Sequence, residues 1–153
     1  MRKTFFSALF LLTMAVGGQG TAGSFDGVWN TTMTCEAKGN SQGYTWKFTS
    51  TIANNILHGE RGDAGQPGYL ALDGKINRDG SAKLTASGLV ASTQYAHGPL
   101  VSTGEQYSYE VKSHFTAAEG EGDRSTGLGV YGRPCHYVFG KQTPPAPAAT
   151  AKP

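Results

Sequence analysis

In the stretch Gln106-Tyr107-Ser108-Tyr109-Glu110-Val111-Lys112-Ser113-His114-Phe115-Thr116-Ala117, Tyr107, Tyr109, Val111, Phe115 and Ala117 alternate with Gln106, Ser108, Glu110, Lys112, His114 and Thr116. A period of two puts successive side chains on opposite faces of an extended chain, and an α-helix cannot sort these residues onto two faces. The stretch therefore predicts a strand with one dry face and one wet face, as in an antiparallel sheet that is covered on one side.

The same rhythm runs outward in both directions. Trp29, Thr31, Met33 and Cys35 share one face of a first strand. Tyr44, Trp46, Phe48 and Ile52 share one face of a second, with Thr45, Lys47 and Thr49 opposite. Asn54-Asn55 offers a tight reversal into residues 56–60, because Asn tolerates positive φ. Residues 69–76 and 81–88 flank Asn77-Arg78-Asp79-Gly80, a hairpin signal. Residues 124–131 supply a further strand candidate, and Cys135, Tyr137 and Phe139 face one way in the last. Seven or eight strands and no helical pattern predict an all-β antiparallel meander. Its apolar face must be buried by closure into a small barrel or, alternatively, by folding into a β-sandwich.

The ends of the chain read differently. Met1-Arg2-Lys3, an apolar run over residues 5–16 and a small-residue stretch over 17–23 have the layout of a signal peptide, with cleavage expected after Gly20 or Gly23. The apolar run is too short to span a bilayer, so residues 1–23 are read as a leader for export to the periplasm or beyond. No membrane span is expected once they are removed. Residues 143–153, rich in Pro and Ala, cannot build a core and are expected to form a disordered tail. Residues 24–142 remain as a single β domain.

Charge and cysteine content narrow the reading. Of 13 basic residues two, Arg2 and Lys3, leave with the leader, so the 11 that stay equal the 11 acidic residues. A formally neutral domain without a basic cluster lacks the electrostatic footprint of a nucleic-acid binder or an anionic-membrane binder. The chain has 2 cysteines, Cys35 at the end of the first strand and Cys135 at the start of the last, and an exported protein favours their pairing. Such a bridge closes a loop of roughly 100 residues, for which the chain-entropy relation gives about 4 to 5 kcal/mol.

Phe25-Asp26-Gly27-Val28-Trp29 resembles the GxW opening of lipocalins, avidins and related calycin barrels. That resemblance implies a calycin-like barrel whose floor Trp29 closes, with Arg133 or Arg124 stacked on its ring. The remainder resembles a group of small exported proteobacterial proteins of unassigned activity, on Gly43-Tyr44, Leu57-His58-Gly59, Asp79-Gly80 and Arg133-Pro134-Cys135. It implies a Gram-negative source and carries no function. The second conserved loop motif of true lipocalins is not visible in the chain.

Several short strings lack the context that their chemistry needs. Residues 59–68 hold three collagen-like triplets and the tripeptide Arg61-Gly62-Asp63, but β-patterned sequence flanks them and they read as a loop. Residues 127–132 match GxGxxG with no following helix. The turn at Asn77 has no calcium ligand at the twelfth loop position. His58, His97, His114 and His136 form no spaced pair of the kind that holds zinc. Proximity in the chain groups His58 with Glu60 and Asp63 and nothing more. No nucleophile, base and acid stand in a recognisable relation, so the reading is a non-enzyme without cofactor or metal.

Functional content lies in the aromatic face. Trp29, Trp46, Tyr107, Tyr109 and Tyr137 are the candidate ligand-binding residues, since Tyr and Trp join a large apolar body to a polar handle. They would hold a small apolar or aromatic ligand inside the barrel or at its mouth near residues 92–104. The alternative is an envelope protein-interaction module, or a hydrolase inhibitor, that works through loops such as 59–68.

Overall fold

A computed structural model describes residues 25–96, 98, 100–126 and 132–143. The expected leader, His97, residues 127–131 and residues 144–153 lie outside the described residues. Eight strands follow one another: β1 (Gly27–Cys35), β2 (Tyr44–Ala53), β3 (Ile56–Arg61), β4 (Leu70–Ile76), β5 (Ser81–Leu89), β6 (Gln106–Phe115), β7 (Glu119–Arg124) and β8 (Cys135–Lys141). Each pairs antiparallel with the next, and β1 also pairs with β8. The sheet is thus a closed up-and-down barrel, with no free edge of the kind a sandwich would keep.

The connections sort by length onto the two ends. The turns 54–55, 77–80 and 116–118 lie at one end. Asn54 (φ 53°) and Asn55 (φ 61°) make the first of them a two-residue turn with both centres left-handed, which matches the twist of the flanking strands. The longer connections, from β1 to β2, β3 to β4, β5 to β6 and β7 to β8, each of eight residues or more, join strand ends at the other end. The barrel therefore has a tight floor and an elaborated mouth.

Burial follows the same axis. At the floor Trp29, Ile52, Leu57, Ile76 and Leu84 are buried, as are Phe115 and Phe139. Trp29 and Phe115 meet edge to face with ring centroids 5.7 Å apart, and Phe115 and Phe139 are 4.8 Å apart. Trp29 Nε1 donates to the Phe25 carbonyl at 2.9 Å, so the residues before β1 cap the floor. Trp29 takes its cationic neighbour from β8, with Lys141 Nζ 5.8 Å from the ring centroid. The arginine expected from the calycin resemblance is not its partner, because Arg124 ends β7 at the mouth and Arg133 precedes β8 there, a strand length away.

Two other expectations are corrected. Ala117 is exposed in the turn after β6, because the β6–β7 ladder stops at the Phe115–Gly120 pair. The strand before β8 spans Glu119–Arg124, so the expected strand 124–131 does not continue through Ser125 and Thr126, and its residues 127–131 lie outside the described residues. The inward residues Gly120 and Gly122 of β7 gave no apolar signal. They are glycine because the floor is crowded: a Cβ at Gly120 would lie 2.6 Å from Phe115 Cδ1.

Cys35 and Cys135 stand opposite each other in the β1–β8 ladder and are joined by a disulfide. The bridge fastens the closing seam at the mouth. There, loop 90–105 is tied to loop 36–43 by Gln42 N donating to Gln94 O at 2.8 Å and by a hydrogen bond from Ser41 Oγ to Ala96 O. No helix among the described residues is long and apolar enough to cross a membrane.

Candidate functional site

Towards the mouth the inward face stops being fully packed. Along β2 the inward residues run from Ile52 and Ser50, both buried, to Phe48, Trp46 and Tyr44, which are half-buried. Along β6 they run from buried Phe115 to half-buried Tyr107. The ladder between β2 and β3 covers only residues 50–53 and 56–59, so the two strands part before the mouth. A cavity of about 230 Å³ results, walled by Tyr44, Trp46, Tyr107 and Tyr109 and roofed by Val90, Ser92, Tyr95 and Val101 of the long loop.

Of the five residues expected from sequence, Trp46, Tyr107 and Tyr109 line this cavity together. Trp29 and Tyr137 do not line it. Trp29 belongs to the floor, and Tyr137 is buried below the cavity. Tyr137 supports the wall through its hydroxyl, 2.7 Å from that of Tyr109, which in turn donates to Met33 Sδ at 3.6 Å. With the Tyr109 proton directed at sulfur, Tyr137 is the donor of the hydroxyl pair.

Sequence reasoning missed the arginines. Arg133 lines the cavity with its guanidinium carbon 5.1 Å from the Tyr44 ring centroid, and Arg124 lines it 4.3 Å from that of Tyr109. At the gap between β2 and β3, Arg61 covers Trp46 at 3.9 Å. Each stacks a cation on the face of an electron-rich ring, the favoured geometry for a guanidinium. A parity count could have found Arg61 and Arg133. Leu57 and Gly59 lead to Arg61 at the end of β3, and Cys135 and Tyr137 count back to Arg133, two residues before β8, while Gly120 and Gly122 lead to Arg124 only once β7 is placed over Glu119–Arg124.

Arg133 is the most enclosed, at 5 % exposure. Its Nη1 donates to the carbonyls of Gln42 at 2.7 Å and Glu36 at 3.3 Å, while Nη2 is buried without a hydrogen-bond partner among the described residues. Burial pulls its pKa below the usual arginine value, with Arg124 adding to the effect and Tyr44 opposing it. Burial likewise raises the Tyr44 and Tyr107 phenols, and raises Tyr109 to about 12, with neighbouring arginines opposing each shift. The cavity is thus walled by neutral phenols in a positive field. Glu105 is its acidic wall residue and accepts from Ser102 N through Oε2 at 2.9 Å.

The described histidines sit outside the barrel. His58 Nδ1 is 2.6 Å from Asp73 Oδ1 and its Nε2 is 3.7 Å from Glu60, so the acid on the neighbouring strand, and not Asp63, completes that cluster. The Asp73 hydrogen bond raises the His58 pKa above the ordinary value. His136 Nδ1 pairs with Asp123 at 2.8 Å, and His114 is exposed. Among the described residues no three His, Cys, Asp or Glu side chains are grouped to hold a metal ion.

Fold and cavity together define a closed eight-stranded β-barrel with a packed floor and a ring-lined, arginine-bearing mouth. Comparison of the chain with protein families, curated proteins and solved structures finds no match.

Proposed function

We propose that this protein is an exported, non-enzymatic binding protein that holds a small aromatic molecule at the mouth of its barrel. The observation that carries the reading is the change along one inward face, from rings that pack solid at the floor to rings that wall an open cavity at the mouth. Small eight-stranded barrels either fill their interior or keep room for one ligand, and this one does each at a different end. A cavity of about 230 Å³ exceeds the roughly 150 Å³ that admits benzene, and falls below the roughly 300 Å³ where pockets for drug-sized molecules begin. A substituted single ring suits it. The inward hydroxyls and the ties that hold the roof loop in place favour a ligand inside over a partner protein seated on the loops, the role of the alternative reading.

The disulfide supports a destination in an oxidising compartment, the periplasm or the medium, and with it the reading of residues 1–23 as a cleaved leader. A calycin-type ancestry in a Gram-negative source fits the barrel and its Trp29 floor. Native mass spectrometry of the protein recovered from an exporting host tests the proposal. The expected result is a mature chain beginning after Gly20 or Gly23 that carries, or takes up, a single-ring compound. A bare chain that captures an envelope protein and takes up no ring compound would support the alternative in its place.

A further inference from the structure

We infer that the mouth selects aromatic acids: a planar ring lies among Tyr44, Trp46, Tyr107 and Tyr109, and a carboxylate meets the guanidinium groups of Arg133 and Arg124. This inference rests on the ligand reading above and names its chemical class. Four observations carry it.

The first is placement. β3 and β7 end at the mouth in the inward residues Arg61 and Arg124, Arg133 stands on the inward parity two residues before β8 begins, and Arg124 and Arg133 line the cavity. Surface arginines placed for solubility would fall on the outer parity.

The second is charge. Arg124 and Arg133 against Glu105 leave the cavity wall with one net positive charge, and Arg61 adds another at the rim. The domain as a whole is formally neutral once the leader is gone. Within a ring-lined, low-dielectric cavity that excess acts on an anion far more strongly than it would in water.

The third is the unfinished bonding of Arg133. A guanidinium has five N–H donors and no acceptor. Burying one with Nη2 unpaired is costly, and a carboxylate is the group whose two oxygens match the fork. Two donors of Arg133 are spent on loop carbonyls, which fix its orientation and leave Nη2 as the unmatched part.

The fourth concerns the walls. Burial raises the Tyr44, Tyr107 and Tyr109 phenols, so they remain neutral hydrogen-bond donors at any ordinary pH and do not repel an anion. A cationic amine would meet three arginines and a single carboxylate that Ser102 N already holds.

The test is a charge series on one ring: phenylacetate, phenylacetamide and phenethylamine, titrated into the oxidised mature protein and read by isothermal calorimetry and by Trp46 fluorescence. Phenylacetate should bind at least about tenfold more tightly than phenylacetamide, the scale of one charge-assisted hydrogen bond, and phenethylamine should bind more weakly than either. Arg124→Gln should reduce the preference for acid over amide. Arg133→Gln should do the same, and Arg124→Gln keeps the test open if loss of the Arg133 loop bonds prevents folding. Equal affinity for acid and amide would overturn the inference while sparing the aromatic cavity. Absence of binding by all three would overturn both.

Discussion

The seam disulfide gives the most quantitative prediction. Cys35 and Cys135 are 1 % and 3 % exposed and face each other across the ladder that closes the barrel. Reduction leaves the native β1–β8 pairing in place, because the seven residue pairs from Trp29–Lys141 to Cys35–Cys135 hold the strands together by backbone bonds. What changes is the unfolded chain, which regains the freedom of a loop 100 residues long. For a loop of roughly that length the entropy relation gives about 4.7 kcal/mol. That is a large share of the roughly 5 to 15 kcal/mol by which domains are stable. For a domain between the roughly 100-residue and 150-residue size classes, one kcal/mol moves Tm by about 4 °C, so the reduced protein should melt about 15 to 20 °C lower. Reductant alone will act slowly on buried sulfur, so the protein must be unfolded, reduced and refolded in reductant before its melt is followed by circular dichroism. A Tm within about 5 °C of the oxidised form would refute the reasoning, since it would mean that the unfolded chain is not constrained by the bridge.

Three further outcomes are expected. Trp29→Ala should cost about 3 to 5 kcal/mol in chemical denaturation, as the loss of a fully buried aromatic, whereas Trp46→Ala at the half-buried mouth should cost much less and remove binding. Gly120→Ala should destabilise by about 1 to 3 kcal/mol, because its methyl group meets Phe115; an unchanged midpoint would show that the floor has slack. At high pH the sign follows from the raised phenols: Tyr109 stays neutral in the fold up to about 12 and ionises near 10 when unfolded, so its contribution is present below pH 10 and lost as pH rises towards 12. Tyr107 and Tyr137 shift in the same direction through burial. Tyrosinate absorbance should appear together with loss of the near-ultraviolet circular dichroism in that window. Ionisation of the full tyrosine complement around pH 10 with the fold intact would contradict it.

The period-two rhythm made the barrel legible because β1, β2, β6 and β8 turn large side chains inward at most alternate positions. Asn54-Asn55 and Asn77-Arg78-Asp79-Gly80 marked turns by their own backbone preferences. The rhythm failed where the inward residues are small. Gly120 and Gly122 in β7 have no hydrophobicity to show, yet they face the core because Phe115 fills the space beside Gly120 and Ser113 that beside Gly122. The lining of the cavity was legible in its rings and not in its charges. Trp46, Tyr107 and Tyr109 stood out as aromatic, while Arg61, Arg124 and Arg133 looked like ordinary loop-edge residues until the strands gave them an inward parity. Trp29 and Tyr137 have the same composition and the same parity as the cavity residues but lie further along the barrel axis. Depth along the axis depends on which ends the loops occupy, and alternation alone does not report it.

Backbone amide chemical-shift mapping of the mature protein with phenylacetate tests the two-ended barrel most directly. Shifts confined to Tyr44, Trp46, Tyr95, Tyr107, Tyr109, Arg124 and their immediate neighbours, with the Trp29 and Phe115 amides unmoved, are expected. Shifts centred on the floor residues, or none at saturating ligand, would contradict an open mouth above a packed floor.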